Sequence, residues 1–110
     1  MIKVTIYVNQ DHVYTGFDVY DHAGYSEEGS DIVCAAVSTL VINTINAVEA
    51  FTAEETSCVS DENTGRIEYR IKRNPAHDTQ LLLNAMVLGL KSMEDNREYE
   101  PYIDIIFKEV

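Results

Sequence analysis

A histidine and a cysteine in the first third of the chain are residue types that together carry out nucleophilic catalysis. Eleven residues separate His22 from Cys34, which is enough chain to loop back and bring the imidazole beside the sulfur. An imidazole activates a thiol by taking its proton or by pairing with the thiolate. The spacing therefore makes Cys34 a candidate nucleophile and His22 its candidate base.

The residues just before Cys34 predict that a helix begins there. Ser30 and Asp31 are typical helix-capping residues, and Cys34 would then lie in the first turn. Unpaired backbone N–H groups and the positive end of the helix dipole favour an anion at that place. They would stabilise a thiolate and supply an oxyanion hole for a tetrahedral intermediate.

A loop rich in small residues connects the two candidates. It contains Gly24 and Gly29, which permit mobility and the close approach of a peptide backbone. We expect this loop to form one wall of a substrate cleft, with Ala23, Gly24, Tyr25 and Gly29 as its substrate-binding residues.

Each candidate also has a purely structural interpretation. A cysteine on an apolar helix is commonly a small buried hydrophobe, and a histidine at the end of a strand is commonly solvated. Asp31 serves equally as a helix cap and as an orienting residue, and Ser38 can bond to its own helix backbone. Residue types alone leave these interpretations open for Cys34, and we interpret Cys58 as structural.

Length, composition and charge indicate a single acidic domain. The chain has 110 residues, 45% of them hydrophobic and 25% charged, so we predict one domain over residues 1–110. The net charge is −11, from 19 acidic and 8 basic side chains. Binding to nucleic acid or to an anionic membrane needs clustered Lys and Arg, so we expect neither as a partner. The charge is compatible with a basic partner.

The cysteines and the N-terminal residues bear on compartment and cofactors. We see no basic segment followed by an apolar stretch, and no run of the ~18 apolar residues that a membrane span requires. Cys34 and Cys58 are predicted to be thiols in a reducing compartment. The histidines and cysteines show no ligand spacing, so we expect no metal and no cofactor. Disulfide exchange at Cys34 would need Cys58 to lie adjacent in space.

Alternating apolar and polar residues predict five strands. These are residues 2–8, 13–20, 56–60, 66–73 and 102–107, with Gly16 as a weak spot or bulge. We expect one hairpin from the first two strands and a second around the turn at residues 61–65.

Two helices complete the predicted fold. The first runs from Asp31 to about Phe51, and its nearly continuous apolar surface favours a central place or a subunit interface. The second begins at Asn74-Pro75, with Asn as the cap, and ends near Glu94. The order β-β-α-β-β-α-β predicts an α+β fold with two long helices packed on a small antiparallel or mixed sheet.

The segment from His22 to Ser38 resembles the signature H-A-x(5)-G-x-D-x-V-C-A-x-x-S of the ribosomal-processing cysteine protease (Prp) family. The matching residues are His22, Ala23, Gly29, Asp31, Val33, Cys34, Ala35 and Ser38. The N-terminal alternating strand, the second helix and the total length are also similar. The family usually has Gly immediately before the histidine, where this chain has Asp21.

The resemblance implies a cytosolic, homodimeric endopeptidase. Family members remove the N-terminal extension of large-subunit ribosomal protein twenty-seven, so that protein is the implied partner. The family's nucleophile corresponds to Cys34 and its histidine to His22, with Asp31 and Ser38 in support. The alternative is a non-catalytic ribosome-associated or assembly module of the same fold.

Overall fold

The computed structural model describes residues 1–21, 28–61 and 63–110, and of residues 21 and 28–31 it describes only the backbone. In chain order the elements are β1 (Ile2–Val8), β2 (Tyr14–Asp21), α1 (Glu28–Phe51), β3 (Thr56–Asp61), β4 (Arg66–Ile71), α2 (His77–Glu94), a short 3-10 helix (Glu100–Tyr102) and β5 (Ile103–Glu109).

All five strands form one mixed sheet in the order β3-β4-β2-β1-β5. Strands β1 and β5 pair in parallel, and the other neighbouring pairs are antiparallel. The predicted α+β fold, its element order and both hairpins are confirmed. Strand β3 forms one edge of the sheet, and β5 forms the other.

Both helices cover one face of the sheet, and the core lies between these two layers. Side chains alternate across a strand, so Ile2, Val4 and Ile6 of β1 are buried while Lys3 is exposed. Helix α1 contributes Val33 and other valines one turn apart, and α2 contributes a similar row. The buried helical residues of this core cluster are Val33, Val37, Val41, Leu83, Met86, Val87 and Leu90.

Helix α1 begins at Glu28, three residues before the predicted start at Asp31. Ser and Asp disfavour a helix interior by only ~0.5 kcal/mol each, so they do not stop a helix whose apolar face continues. Cys34 therefore lies in the second turn, and the prediction that it lies in the first turn is wrong.

Helix α2 begins at His77, and the predicted capping by Asn74 is wrong. The N-cap is Ala76, whose backbone N–H donates to Oε1 of Glu54 at 2.9 Å. Glu54 is distant in sequence, so a local capping signal could not reveal it.

The bulge expected at Gly16 is present, one residue away from it. Tyr7 pairs with Gly16 while Val8 pairs with Tyr14, so Thr15 is the extra residue in β2. A Cβ atom on Gly16 would collide with the backbone oxygen of Tyr69 on β4. Close approach of two strands thus explains the glycine.

The segment Ile32–Phe51 of α1 is long and apolar enough to cross a membrane by length and composition, with a mean hydropathy of 1.6. The core helix of a soluble domain passes the same test. Here the buried residues Val33, Val37, Val41 and Val48 pack one face of α1 into the protein.

Candidate active site

Cys34 lies on α1 beside two buried core positions, Val33 and Val37. Its side chain is half-buried and packs against the core cluster on one side. On its other side Cys34 lines a groove between α1 and the β3–β4 hairpin. A thiol in this position is anchored by the core and still reachable from the groove.

The groove has a volume of about 550 Å³. Its helical wall consists of Cys34 and three residues at successive turns of α1, namely Ser38, Ile42 and Ile45. The opposite wall belongs to the hairpin and consists of Cys58, Ser60, Asp61, Asn63, Thr64, Gly65, Arg66 and Ile67. The helical wall is mainly apolar and suits the hydrophobic side chains of a peptide, while the hairpin wall is mainly polar.

The tip of the hairpin forms the polar end of the groove wall. The backbone N–H of Asn63 donates to Oδ1 of Asp61 at 2.9 Å, which tightens the turn. Gly65 closes the turn with a φ of 67°, a left-handed conformation that glycine adopts without strain. Arg66 follows at the start of β4 and lines this end of the groove, where its guanidinium is paired with the carboxylate of Glu68.

Sequence reasoning found the helical wall of the groove and missed most of the hairpin wall. The strand register is the signal that would have found it. Cys58 pairs with Tyr69, whose side chain is buried in the core, so Cys58 points to the same face of the sheet. Ile67 is also on that face, and both residues therefore oppose α1.

Cys58 lines the same groove as Cys34, and both are thiols. Burial raises the pKa of the Cys58 thiol, so the protonated form predominates at neutral pH. The thiolate is the nucleophilic form of cysteine. Cys58 is therefore poorly suited to attack a carbonyl.

Of the predicted site residues, the structure brings Cys34 and Ser38 together in the groove, one turn apart. The hydroxyl of Thr44 donates to the Leu40 backbone oxygen at 2.8 Å, but Ser38 makes no such bond within the described part of the chain. Gly29 and Asp31 lie in the first turn of α1, where only the backbone is described. The predictions for His22, Ala23, Gly24 and Tyr25 fall outside the described residues.

The early start of α1 changes the predicted electrostatics of Cys34. The first four N–H groups of a helix lack intrahelical acceptors, and in α1 these belong to residues 28–31. The backbone N–H of Cys34 lies one turn further along the helix. Because the dipole effect falls off within the first turn, it contributes less to a Cys34 thiolate than the sequence suggested.

A half-buried thiol that lines a groove, carried by a helix on a mixed sheet, is the arrangement expected of an α+β peptidase of the cysteine class. The family model described as "Cysteine protease Prp" matches residues 1–104. The chain belongs to this family of cysteine proteases, which confirms the resemblance predicted from the segment between His22 and Ser38.

Two relatives are similar in sequence to this chain over nearly its whole length. The chain is 32% identical over 108 residues to the ribosomal processing cysteine protease Prp of Staphylococcus aureus, covering 98% of this chain and all of that protein. It is 29% identical over 104 residues to the protein of the same name in Bacillus subtilis, covering 91% of each chain.

Solved structures share the fold. The essential ribosomal processing protease Prp from S. aureus, crystallised with a substrate peptide, superposes with a TM-score of 0.90 at 30% identity, covering 98% of this chain and 100% of that chain. The S. aureus protease with a covalently linked product peptide gives a TM-score of 0.86 at 32% identity, with the same coverage. The predicted fold and the assignment as a cysteine-type peptidase are confirmed.

Proposed function

We propose that this peptidase removes the N-terminal extension of large-subunit ribosomal protein twenty-seven, with Cys34 as nucleophile and His22 as its base. The observation that carries the proposal is the placement of Cys34 on the helical wall of the groove, where an extended peptide would pass the thiol. The S. aureus relative is a ribosomal processing protease that binds a substrate peptide. Membership of its family makes a non-catalytic module the weaker explanation.

The strand register supports His22 as the base. Strand β2 ends at Asp21, and two residues earlier Val19 pairs with Ile67, which lines the groove. The chain therefore leaves the sheet beside the hairpin tip. His22 is the next residue in sequence after this strand end.

The chemistry is acyl transfer in two steps. The imidazole takes the thiol proton, and the thiolate attacks the scissile carbonyl carbon. The tetrahedral intermediate collapses, the C–N bond breaks, and the imidazolium gives its proton to the leaving amine. Water then attacks the thioester with the same base, which releases the new carboxylate and restores the thiol. Asp31 and Ser38 act as positioning residues in this proposal.

We also propose a cytoplasmic homodimer. Exposed apolar residues support a subunit contact, since Leu81 and Leu88 lie two turns apart on α2 and are 60% and 69% exposed. Phe51 at the end of α1 is 77% exposed. Both cysteines are thiols, which suits a reducing compartment.

Incubation with the intact ribosomal protein from the same cell tests the substrate. Mass spectrometry of the product should show a single new N-terminus and the released extension. His22→Ala should abolish this cleavage, whereas His77→Ala should not, because His77 is exposed at the start of α2 and lines no described part of the groove. An unprocessed ribosomal protein, or cleavage by His22→Ala at the normal rate, would overturn the proposal.

A further inference from the structure

Strand β3 carries a row of backbone groups that face away from the rest of the sheet. It is the outermost strand on its side, and β4 is its only neighbour among the described strands. The N–H of Lys72 donates to the backbone oxygen of Glu55 at 3.0 Å, and the strand register places these two residues opposite each other. In an antiparallel pair, such hydrogen-bonded positions alternate with positions whose N–H and C=O turn away from the partner strand. Thr56, Cys58 and Ser60 are therefore the residues whose backbone groups face the free edge.

The sequence of β3 lacks the features that usually protect an open edge. Natural proteins commonly block an edge with Lys, Pro, a bulge or a covering side chain. Strand β3 contains no Lys and no Pro, its register with β4 has no shift, and five of its six residues are exposed. The opposite edge is partly covered, because the N–H of Ile105 on β5 donates to Oε2 of Glu94 at 2.9 Å. Strand β3 is thus the edge at which another extended chain can pair.

The free edge of β3 adjoins the groove that contains Cys34. Cys58 and Ser60 line that groove on the wall opposite Cys34. Further along α1, a second cavity of about 560 Å³ shares Ile45 and Cys58 with the groove and is also lined by Thr56. Of these two cavities, Cys34 and Ser60 line only the groove, so the Ser60 end of β3 is the end nearest the thiol. A peptide that follows β3 therefore runs from the thiol towards Thr56.

We propose that the peptide substrate binds as an added strand on β3, with its main chain hydrogen-bonded to the backbone of Thr56, Cys58 and Ser60. This inference rests on the proposed function, since it assumes that the scissile bond lies at Cys34. An extended peptide brings unpaired N–H and C=O groups of its own, and pairing with a sheet edge is a recurrent mode of peptide recognition. The main chain of β3 makes these bonds, so a change of the Cys58 side chain leaves them intact.

Strand geometry gives this pairing a period of two residues along the substrate. Whether the peptide runs parallel or antiparallel to β3, only alternate residues of the peptide bond to the edge. Thr56 and Ser60 are four residues apart, a distance of about 13 Å at ~3.3 Å per residue. The edge therefore bonds to two or three alternate residues on one side of the cleaved bond, and the residues between them turn their N–H groups away.

An N-methyl scan of the substrate tests this inference on the unaltered protein. The probes are acetylated and amidated peptides of equal length that cover the junction removed from the ribosomal protein. Each carries one methylated backbone nitrogen outside the two residues that flank the cleaved bond. Methylation removes a donor and places a methyl group against β3 only where the residue pairs with the edge.

We expect kcat/KM to fall by about fivefold or more at two or three alternate positions on one side of the cleaved bond. Methylation at the positions between them should lower kcat/KM by less than about twofold, because those nitrogens face away from β3. A flat scan, or losses at consecutive positions without alternation, would overturn the inference.

Proline variants test the same edge from the side of the protein. The N–H of Ser60 faces the free edge, so Ser60→Pro removes a donor for the peptide and no bond of the sheet. It should raise KM for the unmethylated peptide by about fivefold. If Ser60→Pro fails to fold, the N-methyl scan decides the inference alone.

Glu109→Pro is the matched control on the opposite edge. The N–H of Val110 donates to the backbone oxygen of Val8 on β1, so the N–H of Glu109 faces away from the sheet. Glu109→Pro thus removes an outward N–H as Ser60→Pro does, but from β5, and should leave KM unchanged. An unchanged KM in Ser60→Pro, or an equal rise in Glu109→Pro, would contradict the pairing at β3.

Binding of the methylated peptides to Cys34→Ser, measured by calorimetry, separates this inference from the proposed function. If the wild-type protein cleaves the junction but neither cleavage nor binding alternates along the scan, the pairing fails and the proposed function stands. If no peptide is cleaved but binding to Cys34→Ser alternates, the pairing stands and the assignment of the cleaved junction fails.

A second copy of the chain is the competing occupant of the free edge of β3. Analytical ultracentrifugation of the wild type and of Ser60→Pro distinguishes it from the substrate. We expect the two proteins to have the same mass in solution. Dissociation of a wild-type dimer by Ser60→Pro would show that the edge is a subunit contact and would overturn the inference.

Discussion

Asp18 is a buried charged residue on the face of the sheet opposite the helices. Its neighbours Phe17 and Val19 point into the core, while its carboxylate accepts hydrogen bonds from Arg70 at 2.8 Å and from the hydroxyl of Tyr7. Burial alone would raise the pKa of Asp18, but the hydrogen bonds from Arg70 and Tyr7 outweigh it and lower the pKa. The pair joins β2, which leads to His22, to β4, which lines the groove.

The lowered pKa predicts how the stability contribution of this pair depends on pH. A carboxyl whose folded pKa lies below its unfolded value stabilises the protein fully above the unfolded value, and the contribution is lost as pH falls through the folded pKa. We expect Asp18→Asn to lower the free energy of unfolding by about 2 kcal/mol at pH 7. The difference from wild type should shrink below about pH 4.

Urea unfolding of the wild type and of Asp18→Asn measures this pH dependence, at pH 7 and at the lowest pH where both proteins still fold. The exposed ion pair of Arg66 and Glu68 provides the control, because a screened surface pair contributes little. Arg66→Gln should change the free energy of unfolding by less than about 1 kcal/mol at either pH. A difference for Asp18→Asn that is equal at the two pH values would contradict the role of its charge.

At the scale of elements, strands could be predicted because one residue in two had to enter the core. The alternation in residues 2–8 and 66–71 is local, and both hairpins follow from it. The start of α2 could not be predicted, since the acceptor for the Ala76 N–H is Glu54 on another part of the chain. The hairpin wall of the groove was missed for a similar reason, because strand pairing rather than sequence places Cys58 opposite α1.

Two glycines in these elements allow a matched prediction about packing. A Cβ atom on Gly16 would meet rigid backbone of β4, whereas on Gly89 it would meet the end of the flexible Leu40 side chain at 2.8 Å. We expect Gly16→Ala to lower the free energy of unfolding by about 1–3 kcal/mol. Gly89→Ala should be close to neutral, because a gain of ~1 kcal/mol in helix propensity offsets the shift of Leu40. If chemical denaturation showed equal losses of unfolding free energy for the two variants, the close contact with the β4 backbone would not explain the effect of Gly16→Ala.

At the scale of the whole molecule, the net charge of −11 should attract a basic substrate. Ribosomal proteins are generally basic, so encounter with the intact protein should be faster than with a neutral peptide. Salt shortens the Debye length to ~8 Å at physiological ionic strength and weakens this attraction. We expect kcat/KM for the intact ribosomal protein to fall more steeply with salt than kcat/KM for a short neutral peptide. Equal salt slopes would show that the acidity serves solubility alone.

A comparison of cysteine variants tests most directly whether Cys34 attacks the peptide bond. Cys34→Ser should retain the thermal stability of the wild type and lose cleavage of the ribosomal protein extension, by as much as ~10⁶ in kcat for nucleophiles of this kind. Cys58→Ser changes the other thiol of the same groove and should still cleave the extension. The product peptide should appear in mass spectra with wild type and Cys58→Ser but not with Cys34→Ser. Cleavage by Cys34→Ser at a rate near that of the wild type would contradict this role of Cys34.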